Sequence, residues 1–138
     1  EIGNHTFSHP RLLGKSPGNI ALEIDRAQRV IEQHTGDAPK LCRPPYGLRG
    51  FGLFPILRQK KMQAVMWSVN GLDWRSSSET IAERIVRQSH PGAIILLHDG
   101  VPPREKGNRN ATVEALPAIL RQLHGRYRFV TISDLQSS

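Results

Sequence analysis

The sequence predicts an α/β fold with parallel strands. Two observations carry this. Stretches of helical apolar period alternate with short apolar stretches of strand character. The residues with most chemical potential, Arg43, Asp73 and His98, fall just past the ends of those short stretches, and in parallel sheets and barrels the C-terminal strand edge is where sites are built. The 138 residues, 38% hydrophobic, suffice for one domain, 1–138, with one core.

The elements follow in order. Ser16 before Pro17 starts a helix, serine as N-cap and proline at the first helical position. Ile20, Ile24, Ala27, Ile31 and His34 then recur at helical spacing, and Gly36 closes it. Leu41-Cys42 is a short strand running into a rigid turn, Arg43-Pro44-Pro45-Tyr46-Gly47. Gly52 to about Lys61 is a helix with Pro55 near its start, and Gln63–Trp67 a strand. Ser77 or Ser78 caps a helix carrying Ile81, Ile85 and Val86 to about Ser89. Ala93–Leu97 is a strand apolar on both faces. A polar loop, 102–110, precedes a helix with the stripe Val113, Leu116, Leu120, Leu123 and a kink at Pro117. Tyr127–Val130 is a final strand, and Ser133 caps a last helical turn.

Composition narrows the class. The net charge of +7 favours anionic partners, but Lys and Arg are scattered, Arg58-Gln59-Lys60-Lys61 being the densest spot, which argues against nucleic acid. One cysteine, Cys42, allows no internal disulfide and reads as a buried small residue. The longest apolar run, Ala93–Leu97, is far too short to span a bilayer. His34, His90 and His124 read as structural.

Four stretches carry chemistry. In His5-Thr6-Phe7-Ser8-His9, a helical turn would point both imidazoles at one cation, although the spacing also arises by chance and two histidines do not complete a zinc site. His98, two residues past Leu96, is placed either for acid–base work or as a loop-start histidine bonded to backbone. Asp73 either orients an imidazole or belongs to an Asx turn, and Trp74 could wall a sugar groove. The backbone fixed by Pro44 and Pro45 could offer the Tyr46 N–H to an oxyanion, and Arg43 would need a carboxylate if it points inward.

In this order, HTFSHP (5–10), RPPYG (43–47), DW (73–74) and LLHDG (96–100), with EIGNH before and FVTISDL (129–135) after, resemble the motifs of the polysaccharide deacetylases, the NodB-homology or family 4 carbohydrate esterases. The resemblance implies an irregular (β/α) barrel, of which this chain is the C-terminal part, and hydrolysis of N- or O-acetyl groups on polymers such as chitin, peptidoglycan or xylan. It implies His5 and His9 as ligands of zinc or another divalent metal, the Tyr46 N–H as oxyanion donor, and Arg43 as holder of the catalytic base. Asp73 would tune His98, the general acid, and Leu96 and Trp74 would line the acetyl pocket and its rim.

Two departures matter. The family's first motif, paired aspartates supplying the base and a third zinc ligand, has no counterpart here. The chain is therefore expected to be the later part of such a domain, inactive and weak in zinc by itself. Its strand edges are expected to be covered by a second copy or by further chain. Asn70 stands where many members have aspartate, read as a change of specificity. The expected partner is an acetylated polysaccharide and the expected location, by analogy with the family, extracytoplasmic. The other readings are a different metallohydrolase on a related barrel and a non-catalytic carbohydrate-binding relative.

Overall fold

The computed structural model describes residues 1–101 and 107–136. The chain forms two compact units, Glu1–Met66 and Trp67–Ser138.

In the first unit, β1 (Leu41–Cys42) and β2 (Gln63–Ala64) run parallel, Leu41 opposite Gln63. Asn4 bridges to Cys42 in the same sense, with its N–H on the Leu41 carbonyl at 2.8 Å. Helix α1 (Pro17–Thr35) connects Asn4 to β1, and α2 (Leu53–Gln59) connects β1 to β2. These are successive strand–helix–strand crossovers, which parallel pairing requires. Helix α1 starts and stops on local signals: Ser16 accepts from the Asn19 N–H, and Gly36 ends it at φ 81°. Its inward row is Ile20, Ile24 and Ala27; Ile31 is only half-buried and His34 is exposed. Each buried isoleucine contributes roughly 1.5–3 kcal/mol, and the core is completed by Leu12, Leu53 and Leu57. Helix α2 closes with the Met62 N–H on the Leu57 carbonyl and the Lys61 N–H on that of Arg58, leaving Lys61 at φ 54°.

In the second unit, β3 (Val69–Asn70) and β4 (Ile95–Leu96) pair in parallel across α3 (Ser78–Gln88). Ser77 is the cap of α3, accepting from the Thr80 N–H. Helix α4 (Asn110–His124) packs on α3, and α5 (Ile132–Gln136) follows. The core joins Val69, Ile81 and Ile85 to Ala115, Ile119 and Leu123.

Several expectations are corrected. The strand expected over Gln63–Trp67 keeps its ladder only to Ala64; by Ser68 and Val69 the backbone has turned to the Ile94 carbonyl. Of Ala93–Leu97 only Leu96 is buried, since β4 has a ladder with β3 alone among the described residues. Helix α4 is rotated from the expected stripe: its inward row is Thr112, Ala115, Ile119 and Leu123, and Val113, Leu116 and Leu120 face outward. No strand covers 127–130 among the described residues; the Tyr127 hydroxyl instead donates to the Ser89 carbonyl at 3.1 Å. Thr131, not Ser133, accepts the N–H of Asp134 at the start of α5. Residues 102–106 of the expected polar loop lie outside the described residues, and Asn110 already belongs to α4. Among the described residues no helix is long and apolar enough to cross a membrane.

Candidate active site

In both units, the residues singled out by chemistry follow strand ends: His5 after the Asn4 bridge, Arg43 after β1, Asp73 after β3, and His98 after β4.

The first unit brings His5, His9 and Tyr46 together. The rings of His5 and His9 lie with centroids 4.9 Å apart, and those of His9 and Tyr46 4.8 Å apart, both edge to face. His5 Nδ1 is 2.6 Å from the Arg43 carbonyl. A carbonyl only accepts, so Nδ1 carries the proton and Nε2 presents its lone pair. That is how an imidazole is prepared for a metal. The pair fits two positions of a zinc centre, and among the described residues no group of three or more His, Cys, Asp or Glu that could hold a metal forms.

The loop bearing the two histidines is not a helical turn. Thr6 sits at φ 67° and His9 at φ 53°, a left-handed conformation that costs non-glycine residues roughly 1–2 kcal/mol each. Two residues of other elements hold it. Asn4, fully buried, accepts the Thr6 N–H at 2.9 Å and donates to the Ile24 carbonyl and to Gln28 of α1. Glu23 of α1 accepts from the N–H groups of Phe7 and Ser8 and from the Ser8 hydroxyl. Burial opposes the Glu23 charge, but these donors and nearby Arg26 outweigh it, so its carboxyl lies below the usual range.

Pro44 and Pro45, both buried, lead into a single 3-10 turn over Pro45–Gly47. Tyr46 inside it takes φ 56°, and the turn's own hydrogen bonds run from the Gly47 N–H to Pro44 and from the Leu48 N–H to Pro45. The Arg43 guanidinium donates to the carbonyls of Val65 and Met66 at 3.4 and 3.3 Å. Burial pushes its pKa down from the ordinary value.

The second unit brings Asp73, His98 and Trp74 together. Asp73 Oδ1 is 2.8 Å from His98 Nδ1, and Oδ2 accepts the His98 N–H at 2.7 Å and the Thr112 hydroxyl at 2.8 Å. Burial acts to raise the Asp73 pKa, but the bonds from His98 and Thr112 win and hold it low. An ionised Asp73 accepts Nδ1–H, so Nε2 is the ring nitrogen that the carboxylate does not engage. The Trp74 ring stands edge-on to His98, centroids 5.7 Å apart, and is half-exposed. Leu96 is buried in β4, opposite Asn70.

Within this stretch the Asp73 carboxylate bonds the imidazole, and Asn70 rather than Asp73 makes an Asx turn onto the Leu72 N–H at 2.9 Å, with Leu72 at φ 51°. Asn4 and Thr6 repeat that device. Of the five non-glycine residues described at positive φ, four (Thr6, His9, Tyr46 and Leu72) lie in these stretches, where strain is characteristically stored.

Asn4, Glu23 and Thr112 were not evident as site residues in the sequence. A signal existed for Asn4, an Asx residue two positions before the required turn. Thr112 would have emerged had the α4 stripe been read one residue earlier. Cys42 is buried, and burial pushes its thiol up to about 11, so it is inert at neutral pH.

The sequence model described as polysaccharide deacetylase matches residues 1–50. The chain is 33% identical over 136 residues to a peptidoglycan-N-acetylglucosamine deacetylase of Bacillus cereus, a match covering 97% of this chain and 48% of that protein. Among solved structures, peptidoglycan deacetylase PdaC of Bacillus subtilis superposes with a TM-score of 0.84 at 34% identity, over 99% of this chain and 63% of that one. A family 4 carbohydrate esterase pseudoenzyme of Bacillus anthracis superposes with 0.83 at 30% identity, over 98% and 46%. The chain thus spans about half to under two thirds of the length of each. The parallel strand–helix units, the residues at their strand ends and these likenesses agree: over nearly its whole length the chain is similar to the polysaccharide deacetylases.

Proposed function

We propose that this chain contributes metal-binding and proton-donating residues to the hydrolysis of acetyl groups from a wall polysaccharide, outside the cytoplasm. The observation that carries the reading is the Asp73–His98 pair, whose carboxylate accepts from both the ring and the backbone of the histidine. His5 and His9 would hold zinc or another divalent metal, His5 in the tautomer that its Nδ1 bond to the Arg43 carbonyl sets. The metal would supply Lewis-acid polarisation of the acetyl carbonyl and a water of lowered pKa.

The other roles belong to the chain. The Tyr46 N–H, in a turn whose own hydrogen bonds are donated by Gly47 and Leu48, donates to the negative oxygen that develops on the acetyl carbon; one such donor contributes roughly 3 kcal/mol. His98 Nε2 delivers the proton to the departing amine or alcohol, and Asp73 stabilises the imidazolium before transfer. Arg43 orients the base that takes the proton of the attacking water. Trp74 and Leu96 shape the acetyl pocket. Acetylated glycan is the substrate class, which the likeness to peptidoglycan deacetylases supports. Unpaired strand edges would be covered by a second copy or by further chain, which sedimentation would distinguish.

The test is acetate release from N-acetylated peptidoglycan by the full protein, with zinc content measured alongside. His98→Ala should lower turnover by roughly 10²–10⁴-fold at unchanged zinc content, and an unchanged rate would remove His98 as the acid. A second reading, a non-catalytic glycan-binding relative, draws on the likeness to a pseudoenzyme. It predicts glycan binding with no acetate release.

A further inference from the structure

From Ala38 to Leu72 the chain carries six cations, Lys40, Arg43, Arg49, Arg58, Lys60 and Lys61, and no carboxylate. Over Glu1–Met66 there are ten Lys and Arg against five Asp and Glu. Three of the cations gather at one edge. Lys40 immediately precedes β1, and its carbonyl accepts the Gln63 N–H at 2.8 Å, which sets it beside the start of β2. Arg58 lies in the last turn of α2 and Lys61 in the cap that leads into β2. All three side chains are exposed. This is the N-terminal edge of β1 and β2, whereas Arg43 follows the C-terminal edge. Lys60 is different: its ammonium pairs with Asp25, tying α2 to α1. The remaining acids toward this end, Glu32 and Asp37, stand near the close of α1.

Lys61 supplies an independent observation. The bonds from Met62 to Leu57 and from Lys61 to Arg58 form a Schellman cap, whose left-handed position usually holds glycine. Lysine there, at φ 54°, is in a conformation that its Cβ disfavours. The side chain is exposed, so packing does not repay the strain. What lysine adds is charge beside Lys40 and Arg58.

We propose that the edge formed by Lys40, Arg58 and Lys61 binds a polymer of phosphodiesters, with Lys61 kept in a strained position for its charge. Three cations with no ion-pair partner among the described residues, on a surface short of carboxylates, match a flexible chain of regularly spaced phosphates. The protein would be retained on an anionic matrix while the opposite strand edge stays open to glycan. Only the choice of a polyol phosphate over a nucleic acid rests on the glycan-directed function proposed above.

The test is fluorescence anisotropy of a labelled poly(glycerol phosphate) against sodium chloride concentration. Binding should weaken linearly with salt on logarithmic axes. Lys40→Gln/Arg58→Gln/Lys61→Gln should reduce affinity about tenfold and lower the slope by roughly two. Lys15→Gln/Arg87→Gln/Arg121→Gln, which removes the same net charge, should retain both. Lys61→Gly should melt at a higher temperature and still bind more weakly, an outcome that a merely structural lysine would not give. Equal losses in the two triple variants, no binding at low salt, or tighter binding of single-stranded RNA at equal phosphate would each overturn the proposal. Acetate release is measured separately, so failure of either reading is visible without the other.

Discussion

The Thr112 hydroxyl on α4 donates to Asp73 Oδ2 at 2.8 Å, and the same carboxylate holds His98. A helix residue 39 positions away thus fixes the carboxylate that fixes the imidazole. Thr112→Val keeps the shape and removes the donor. It should destabilise the protein by about 1.5–3 kcal/mol, the range for a hydrogen bond to a charged group, and Thr112→Ser should recover most of that. Urea unfolding of the three proteins measures it.

The Asp73 carboxyl also sets a pH dependence. Its folded pKa lies below its ordinary value of 3.8. The stabilisation is therefore complete above that unfolded value and is lost as the pH falls through the folded one. The Asp73 share of the stability gap between wild type and Asp73→Asn should be lost as the solution is acidified below about pH 4. Glu23, depressed in the same direction, is present in both proteins and cancels. A gap independent of pH down to full protonation would contradict the assignment.

Asn4 holds the histidine loop to α1. Asn4→Ala would strand the Thr6 N–H and leave the Ile24 carbonyl without its side-chain donor, at about 1–3 kcal/mol for an unsatisfied buried group. In hydrogen exchange, protection should fall first at Thr6, whose amide loses its acceptor.

Two glycines should differ in tolerance. A Cβ on Gly50 would stand 2.3 Å from the Leu12 carbonyl oxygen, which is backbone, whereas one on Gly71 would meet Leu97 Cδ2 at 2.5 Å, the end of a flexible side chain. Gly50→Ala should therefore lower the melting temperature more than Gly71→Ala. The reverse order would mean that the loop carrying Leu12 yields easily.

Cys42, with its thiol at about 11, should resist alkylation at pH 8 in the folded protein and react at once in denaturant. Fast labelling of the native protein would show local opening of β1.

What could be read from sequence was what local chemistry decides. Ser16, Pro17 and Gly36 bounded α1 because capping and left-handed termination are properties of a few adjacent residues. Arg43, Asp73 and His98 could be assigned to strand ends because those ends are marked by turn residues. The face of α4 could not be read from size alone. Val113, Leu116 and Leu120 are the larger apolar residues, yet Thr112 and Ala115 face in, because α4 packs closely on α3 and Asp73 needs a donor there. The strand expected at Tyr127–Val130 had the right residue types, but Tyr127 finds its partner in Ser89, 38 positions away, rather than in a ladder. Glu23 gave no sign, since its role depends on α1 lying against Phe7 and Ser8.

Helix α4 seats Ile119 and Leu123 in the core with one end and steadies Asp73 with the other. Docking of that helix and readiness of the imidazole are consequently one event. Heating that loosens α4 before the remainder would release Asp73, and with it the His98 ring, while most of the fold persists, so under the proposed function inactivation would run ahead of melting.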